Sequence, residues 1–363
     1  MAIRPDDAAI LAKDMRELFA EAEALLLQKL AAALAKGVDK PEWAEQKLLA
    51  TQVMLRSLDG VLEDLARGVP GAAARAVAMA YNRGVATAGT DLTSAGMAFG
   101  AFDGTPNTGA VAAITQDVVG RLDPMRFQIK RAIADLYQQV VTQTAAQVTT
   151  GVLTRREASR MVLNRLAKQG ITGFVDKSGR RWEMGAYAEQ AVRTASMNAS
   201  LQGHVDKMYD LGVDTMIVSD APEECKICRP WEGRVLSISG HTRGTLKDGR
   251  VVKGSLAEAK GDGLFHNNCR HSLSIYLPGI TKGPGRDTAD PAGQELRDQQ
   301  RGYERAVREG KRKLIIAEQI GGKQSDGYRQ ERQKLTSLQA EFKDWRDAND
   351  RKDLGYRTNL RAR

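Results

Sequence analysis

Cysteine is nearly absent from this chain of 363 residues: there are 3, an odd and small number that cannot build a disulfide framework. That points to a reducing compartment, where thiols stay available for other chemistry. No apolar run comes near the roughly 20 residues that a bilayer-crossing helix needs, so no membrane anchor is expected. The opening "MAIRPDDAAILAKDM" has no uninterrupted apolar segment, so no secretory signal is expected there either. Aromatic residues make up only 5%, and Trp182, Trp231 and Trp345 stand singly, which does not make the stacking platform of a single-strand binder. The G-x-S-x-G, H-E-x-x-H and dinucleotide-binding glycine patterns are missing, and the many carboxylates fall in no arrangement that assigns acid–base roles. What remains, 42% hydrophobic and 27% charged residues, is the composition of a globular protein long enough for two or three domains.

The spacing of apolar residues predicts helices over most of the first half. "PDDAAILAKDMRELFAEAEALLLQKLAAALAKG" carries an Asp cap at Asp6 or Asp7 and a stop at Gly37. A second helix is expected from about Pro41 to just before Gly68, and an Ala-rich third from about Ala72. "FGAFDGTPNTG" reads as a surface loop, Asp123-Pro124 opens a long helix to about Thr149, and Thr154 with Glu157 forms a capping box for the next, ending at Gly170.

The texture then changes. Short apolar runs flank Ser178-Gly179, suggesting a hairpin; a helix follows and ends at Gly212, where His204 is expected at an ordinary surface or half-buried position. "DTMIVSD" is strand-like, and Asp248-Gly249 marks a second hairpin. Beyond "YLPGITKGPGRDTADPAG" two charged helices are expected, about Gln294–Ile320 and Tyr328–Asn349. Leu335, Leu338, Phe342 and Trp345 form one stripe on the latter, of the kind that packs on a neighbouring helix. The expected architecture is mainly α with a smaller α+β module: a helical region 1–165, a central α+β domain 166–285 with two hairpins, and a charged helical tail 286–363.

The formal charge is +9, and from residue 281 onward 20 Lys and Arg face 14 Asp and Glu. A mixed-sign helical surface and a contact with packaged nucleic acid both fit that excess.

All 3 cysteines, and every one of the 4 histidines except His204, fall between positions 225 and 271. "EECKICRPWEG" sets Cys225 and Cys228 in a C-x-x-C, and "GLFHNNCRHS" brings His266, Cys269 and His271 together. Tetrahedral zinc takes four such ligands, and a C-x-x-C turn can present two thiolates to one ion. Four protein ligands would make a closed, structural site, with Cys225, Cys228, Cys269 and either His266 or His271. Two other readings stay open. The cysteines can be small buried apolar groups, or Cys269 can be a nucleophile activated by a neighbouring histidine, as in a cysteine hydrolase.

In order along the chain, "GFVDKSGRRWEMGAYAEQAVRTASMNAS", "GVDTMIVSDAPEECKICRPWEGRVLSISG", "GLFHNNCRHSLSIYLPGI" and "QQRGYERAVREGKRKL" resemble the phage minor capsid protein 2 family, related to the MuF-like head-morphogenesis proteins of tailed bacteriophages. The resemblance covers roughly residues 165–350. It implies a virion component present in few copies, placed in the head near the portal vertex and entering the host with the DNA; together with the missing catalytic patterns this sets the expectation of a non-enzymatic structural protein that docks to portal and capsid proteins. It also implicates Cys225, Cys228, Trp231, Gly233, His266, Asn268, Cys269, Arg270 and His271 as the signature; related domains often have cysteine where this chain has His271. An alternative expectation, from the basic tail and the cluster, is a nucleic-acid-binding, nuclease-like or toxin-like effector delivered with the genome.

Overall fold

The structure, a computed structural model, describes residues 8, 10–96, 107–149, 154–169, 174–175, 179, 181–221, 227–267, 269–281 and 290–360. As expected it is mainly helical with a smaller α+β part: a separate two-stranded hairpin and a mixed five-stranded sheet that contains the second hairpin, at Asp248-Gly249. The chain divides into two compact units. One comprises Met1–Asp14, Pro70–Gly120 and Glu189–Arg297; the other comprises Met15–Val69, Arg121–Ala188 and Asp298–Arg363. No helix among the described residues is long and apolar enough to cross a membrane.

Helix α1, Lys13–Ala35, stops where Gly37 turns left-handed at φ 71°. Helix α2 is short, Trp43–Leu49, and α3 runs unbroken over Thr51–Ser94 with Pro70 inside it. The expected break between Gly68 and Ala72 is therefore absent, and the interruption falls at Ala50. The reason is burial. Leu58, Leu62, Leu65, Val69, Ala73, Val77, Tyr81, Val85, Ala88 and Leu92 carry one buried stripe straight through Pro70. That stripe outweighs the single hydrogen bond a proline cannot donate. Helix α4, Thr108–Leu122, was not expected; the Asn107 side chain starts it by accepting from the Ala110 amide at 3.0 Å. Helices α5, Met125–Thr149, and α6, Arg155–Gln169, follow the sequence reading. The Thr154 and Glu157 capping box forms, with reciprocal bonds of 3.0 and 3.3 Å. Strands β1, Phe174–Val175, and β2, Arg181–Trp182, pair antiparallel around Gly179, while Ser178 lies outside the described residues.

Helix α7, Met184–Asp210, leads through Gly212 into the sheet of the first unit. Its strands are β3, Thr215–Val218; β4, Val235–Ser237; β5, Gly244–Thr245; β6, Val251–Ser255; and β7, Leu273–Ile275. They lie in the order β5-β6-β4-β3-β7, with only β4 and β6 parallel. Between β6 and β7 comes the short helix α8, Leu256–Gly261, opened by a complete Ser255–Glu258 capping box. Strand β3 is buried at every position because both its faces are covered. Met216 and Val218 join a core with Leu92, Leu201, Met208, Trp231, Leu236 and Ile275; Ile217 turns to Val235, Val252 and Tyr276. At one edge, the Ile275 amide of β7 donates to Asp91 of α3 at 3.3 Å. At the other edge stands β5, exposed and carrying Gly244 at φ 80°.

Within this unit α3 and α7 approach so closely that a Cβ on Gly84 would lie 1.9 Å from the Ser200 carbonyl oxygen, and one on Gly203 2.4 Å from that of Tyr81. This contact buries His204, which is 1% exposed, contrary to the surface or half-buried position expected. Burial drives its pKa down to about 4, against the pull of Asp91 at 3.7 Å.

In the second unit α9, Pro291–Gly321, pairs with α10, Asp326–Ala348, through Val307, Leu335 and Phe342, with Leu338 and Trp345 partly buried beside them. The apolar stripe of α10 thus packs on a neighbouring helix. Arg312 of α9 is 1% exposed, and its Nε donates to Glu23 of α1 at 2.9 Å while Nη2 pairs with Glu183 at 3.1 Å. Arg308 donates to the other oxygen of Glu183 at 2.6 Å. Burial pushes the Glu183 carboxyl up, but Arg312 and Arg308 outweigh it and hold it at about 2. The last short helix, α11, Gly355–Thr358, offers its terminal carbonyls to cations: Arg16 and Arg308 donate to Arg357 O at 2.8 and 2.7 Å, and Lys311 to Thr358 O at 2.6 Å.

Two outcomes follow. Gly84→Ala lowers stability by about 2–3 kcal/mol in urea unfolding, whereas Gly60→Ala in the same helix, where an added Cβ meets nothing within 4 Å, is neutral or stabilising. Arg312→Met costs about 3–5 kcal/mol, because it leaves buried carboxylates without their partner. Since the folded Glu183 pKa lies below its ordinary 4.5, its contribution is present above pH 4.5 and is lost as pH falls toward 2; the variant's stability depends less on pH across that window.

Candidate metal centre

Strand β3 positions the cluster. From its end the chain passes through Cys228 and a 3-10 turn, Arg229–Trp231, before returning as β4. Gly233, at φ 63°, makes the return possible and donates to Val218 O at 3.1 Å. On the other side of β3, the segment His266–His271 leads into β7, and Ser219 N donates to Ser272 O at 2.9 Å. The two sequence motifs therefore flank the same strand end. Trp231 and Cys228 are anchored in the core at 5% and 0% exposure, which fixes one half.

The other half is set by a tight exit from α8. Gly263 at φ 97° and Phe265 at φ 63° turn the chain so that Leu264 enters the core and His266 faces the cysteines. A positive φ at Phe265 is unusual for a residue with a side chain, and the enclosing contacts hold it there. The Cys269 amide donates to His266 O at 2.9 Å, closing a turn that puts both side chains on the same side.

Cys228, His266 and Cys269 each offer a ligand atom, and these atoms lie within 4.8 Å of one another. Among the described residues they are the group that could hold a metal ion. Cys225 lies outside the described residues. His271 stands beside the group: its Nδ1 is 3.4 Å from Cys269 Sγ, and its Nε2 is 2.6 Å from Glu232 Oε1. Glu232, inside "CRPWEG", was given no role from the sequence, because one carboxylate before a glycine carries no signal of its own. The Nδ1 of His266 meets the Asn267 carbonyl oxygen at 2.6 Å.

The sulfur atoms of Cys228 and Cys269 are 3.6 Å apart and not bonded. Two thiolates on one tetrahedral zinc, each at about 2.3 Å, are separated by roughly 3.8 Å, so the pair has the spacing such an ion imposes. The hydrogen bond with Cys228 pulls the Cys269 thiol down to about 4; burial opposes this and bonds from His271 add to it. For His271 burial acts downward, and Cys269 and Glu232 outweigh it, so its pKa is raised. The lowered pKa favours the thiolate of Cys269, the form that binds metal or attacks an electrophile.

The chain belongs to the phage minor capsid protein 2 family, whose model matches residues 3–347. It is also similar to a "Structural protein" of Lactococcus phage LL-H, 26% identical over 191 residues that make up 51% of each chain, so it spans about half the length of that curated relative. No solved structure matches. The family suggested by the ordered motifs is thereby confirmed, and it reaches into the helical first half, where no motif had been assigned.

Alkylation reads the state of the site directly. In metal-free protein Cys269 keeps its reactivity toward iodoacetamide from pH 8 to pH 6, as followed on its own peptide by mass spectrometry. An ordinary thiol with a pKa near 9 slows about 100-fold over the same range.

Proposed function

We propose that this phage structural protein is a non-enzymatic, low-copy component of the head, built in near the portal vertex, and that a structural zinc ion closes its sheet module. The family match across residues 3–347 carries the first part. The zinc reading rests on the convergence of Cys228, His266 and Cys269 with sulfurs 3.6 Å apart. Cys225, three residues before Cys228, supplies the fourth ligand in this reading and completes a closed coordination shell. Such a metal would hold the ends of β4 and β7 on either side of β3 and contribute its binding energy to folding.

The proposal extends to contact with the packaged DNA, with a narrower basis than the tail's net charge. Arg308, Arg312 and Arg357 are buried at 7%, 1% and 7% exposure, so their charge serves the interior. Others pair with acids on the surface, as Arg329 does with Asp326 and Lys334 with Glu331. A DNA contact therefore rests on exposed cations such as Arg305, Arg332 and Lys343. The reading of an effector delivered with the genome gains no specific support from these features.

Mass spectrometry and reconstruction of purified virions test the proposal. Far fewer copies than the major capsid protein, with density at the portal vertex, are expected; absence from particles overturns it. Metal analysis of untagged protein is expected to give close to one zinc per chain, and Cys269→Ala is expected to unfold the sheet module. If the variant instead stays folded and loses a hydrolytic activity, the cysteine is a nucleophile. DNA retention on filters should fall steeply with salt.

A further inference from the structure

The sequence left His266 and His271 as alternative ligands, and the structure gives them different surroundings. His266 belongs to the group of three whose ligand atoms lie within 4.8 Å of one another, and His271 does not. Its ring is almost wholly enclosed, at 1% exposure, and both of its nitrogens are engaged: Nε2 by Glu232 Oε1 at 2.6 Å, Nδ1 by Cys269 Sγ at 3.4 Å. Its backbone amide also donates to that sulfur, at 3.4 Å. Each partner is pinned to a different neighbour of β3. Glu232 precedes Gly233, which is bonded to Val218; Ser272, next to His271, donates to the Ser219 hydroxyl at 2.9 Å.

We propose that Glu232 and His271 form a carboxylate–imidazole support for the Cys269 sulfur: positioning residues, not ligands, that set how tightly the cluster holds its metal. The inference rests on the metal reading given above. A cluster of thiolates concentrates negative charge on sulfur, and N–H groups aimed at that sulfur spread the charge and fix its lone-pair direction. The carboxylate fixes the imidazole in turn, so the sulfur stays aimed at the metal position. The short Glu232–His271 contact also links the turn before β4 to the segment before β7 without a metal.

Competition between the full-length protein and a chromophoric chelator for zinc decides the matter, with cobalt(II) as a second, coloured probe. Glu232→Gln keeps the shape and removes the charge, and His271→Phe keeps a ring and removes both nitrogens. Expected are one metal per chain in both variants, affinity weakened about 10-fold in the first and up to about 100-fold in the second, and a shifted sulfur-to-cobalt charge-transfer band. His266→Ala should instead change the coordination pattern of the cobalt d–d bands. Wild-type affinity and an unshifted band in Glu232→Gln overturn the proposal, and this variant alone decides if His271→Phe does not fold. A changed d–d pattern in His271→Phe with an unchanged one in His266→Ala overturns it too, making His271 the ligand. A wild type that takes up neither ion overturns the metal reading itself, and this inference with it.

Discussion

The approach of two sulfurs to 3.6 Å is the constraint on which the sheet module turns. Strand β3 is central yet spans only Thr215–Val218, and its ladder partners β4 and β7 are no longer. Strands this short gain little from backbone pairing alone, so what holds them is the core beneath and the closure beyond their ends. Cys228 and Cys269 stand where a bound metal ion would supply that closure. Each sits where its flanking segment leaves or enters a strand beside β3, and the Glu232–His271 contact doubles the link.

The other unit solves a different problem, how to fasten distant parts of a chain with few aromatics. Arg312 is sunk between Glu23 and Glu183, and three basic side chains grip the carbonyls of α11. Buried pairs of this sort add little net stability over a well-packed apolar alternative, but losing one partner is costly, so they enforce one arrangement of the helices. They also change the meaning of the protein's charge: part of what reads as a basic tail is internal wiring.

How much of this was visible in the sequence depends on range. The turn that joins His266 to Cys269, the Thr154 capping box and the glycines at 37, 212 and 249 act locally, and their structures follow from residue type and spacing. The break expected between Gly68 and Ala72 does not form, because the local cost of Pro70 is fixed while the buried stripe through it is collective. His204 misled for a related reason: its burial depends on Gly84, more than a hundred residues earlier, lacking a side chain. Neither the pairing of Arg312 with Glu23 nor that of His271 with Glu232 could be read, since a charge in a sequence shows its sign and not its partner.

The edges of the small sheet bear on how it can meet another protein's backbone. Strand β7 spends its outward amide at Ile275 on a carboxylate from α3, and β5 is a two-residue edge bent by Gly244. A free edge is where proteins polymerise by adding strand to strand, and neither edge here is long enough or open enough to serve as a template. An outside strand therefore finds little backbone to pair with on this sheet, and a surface that meets it does so through side chains.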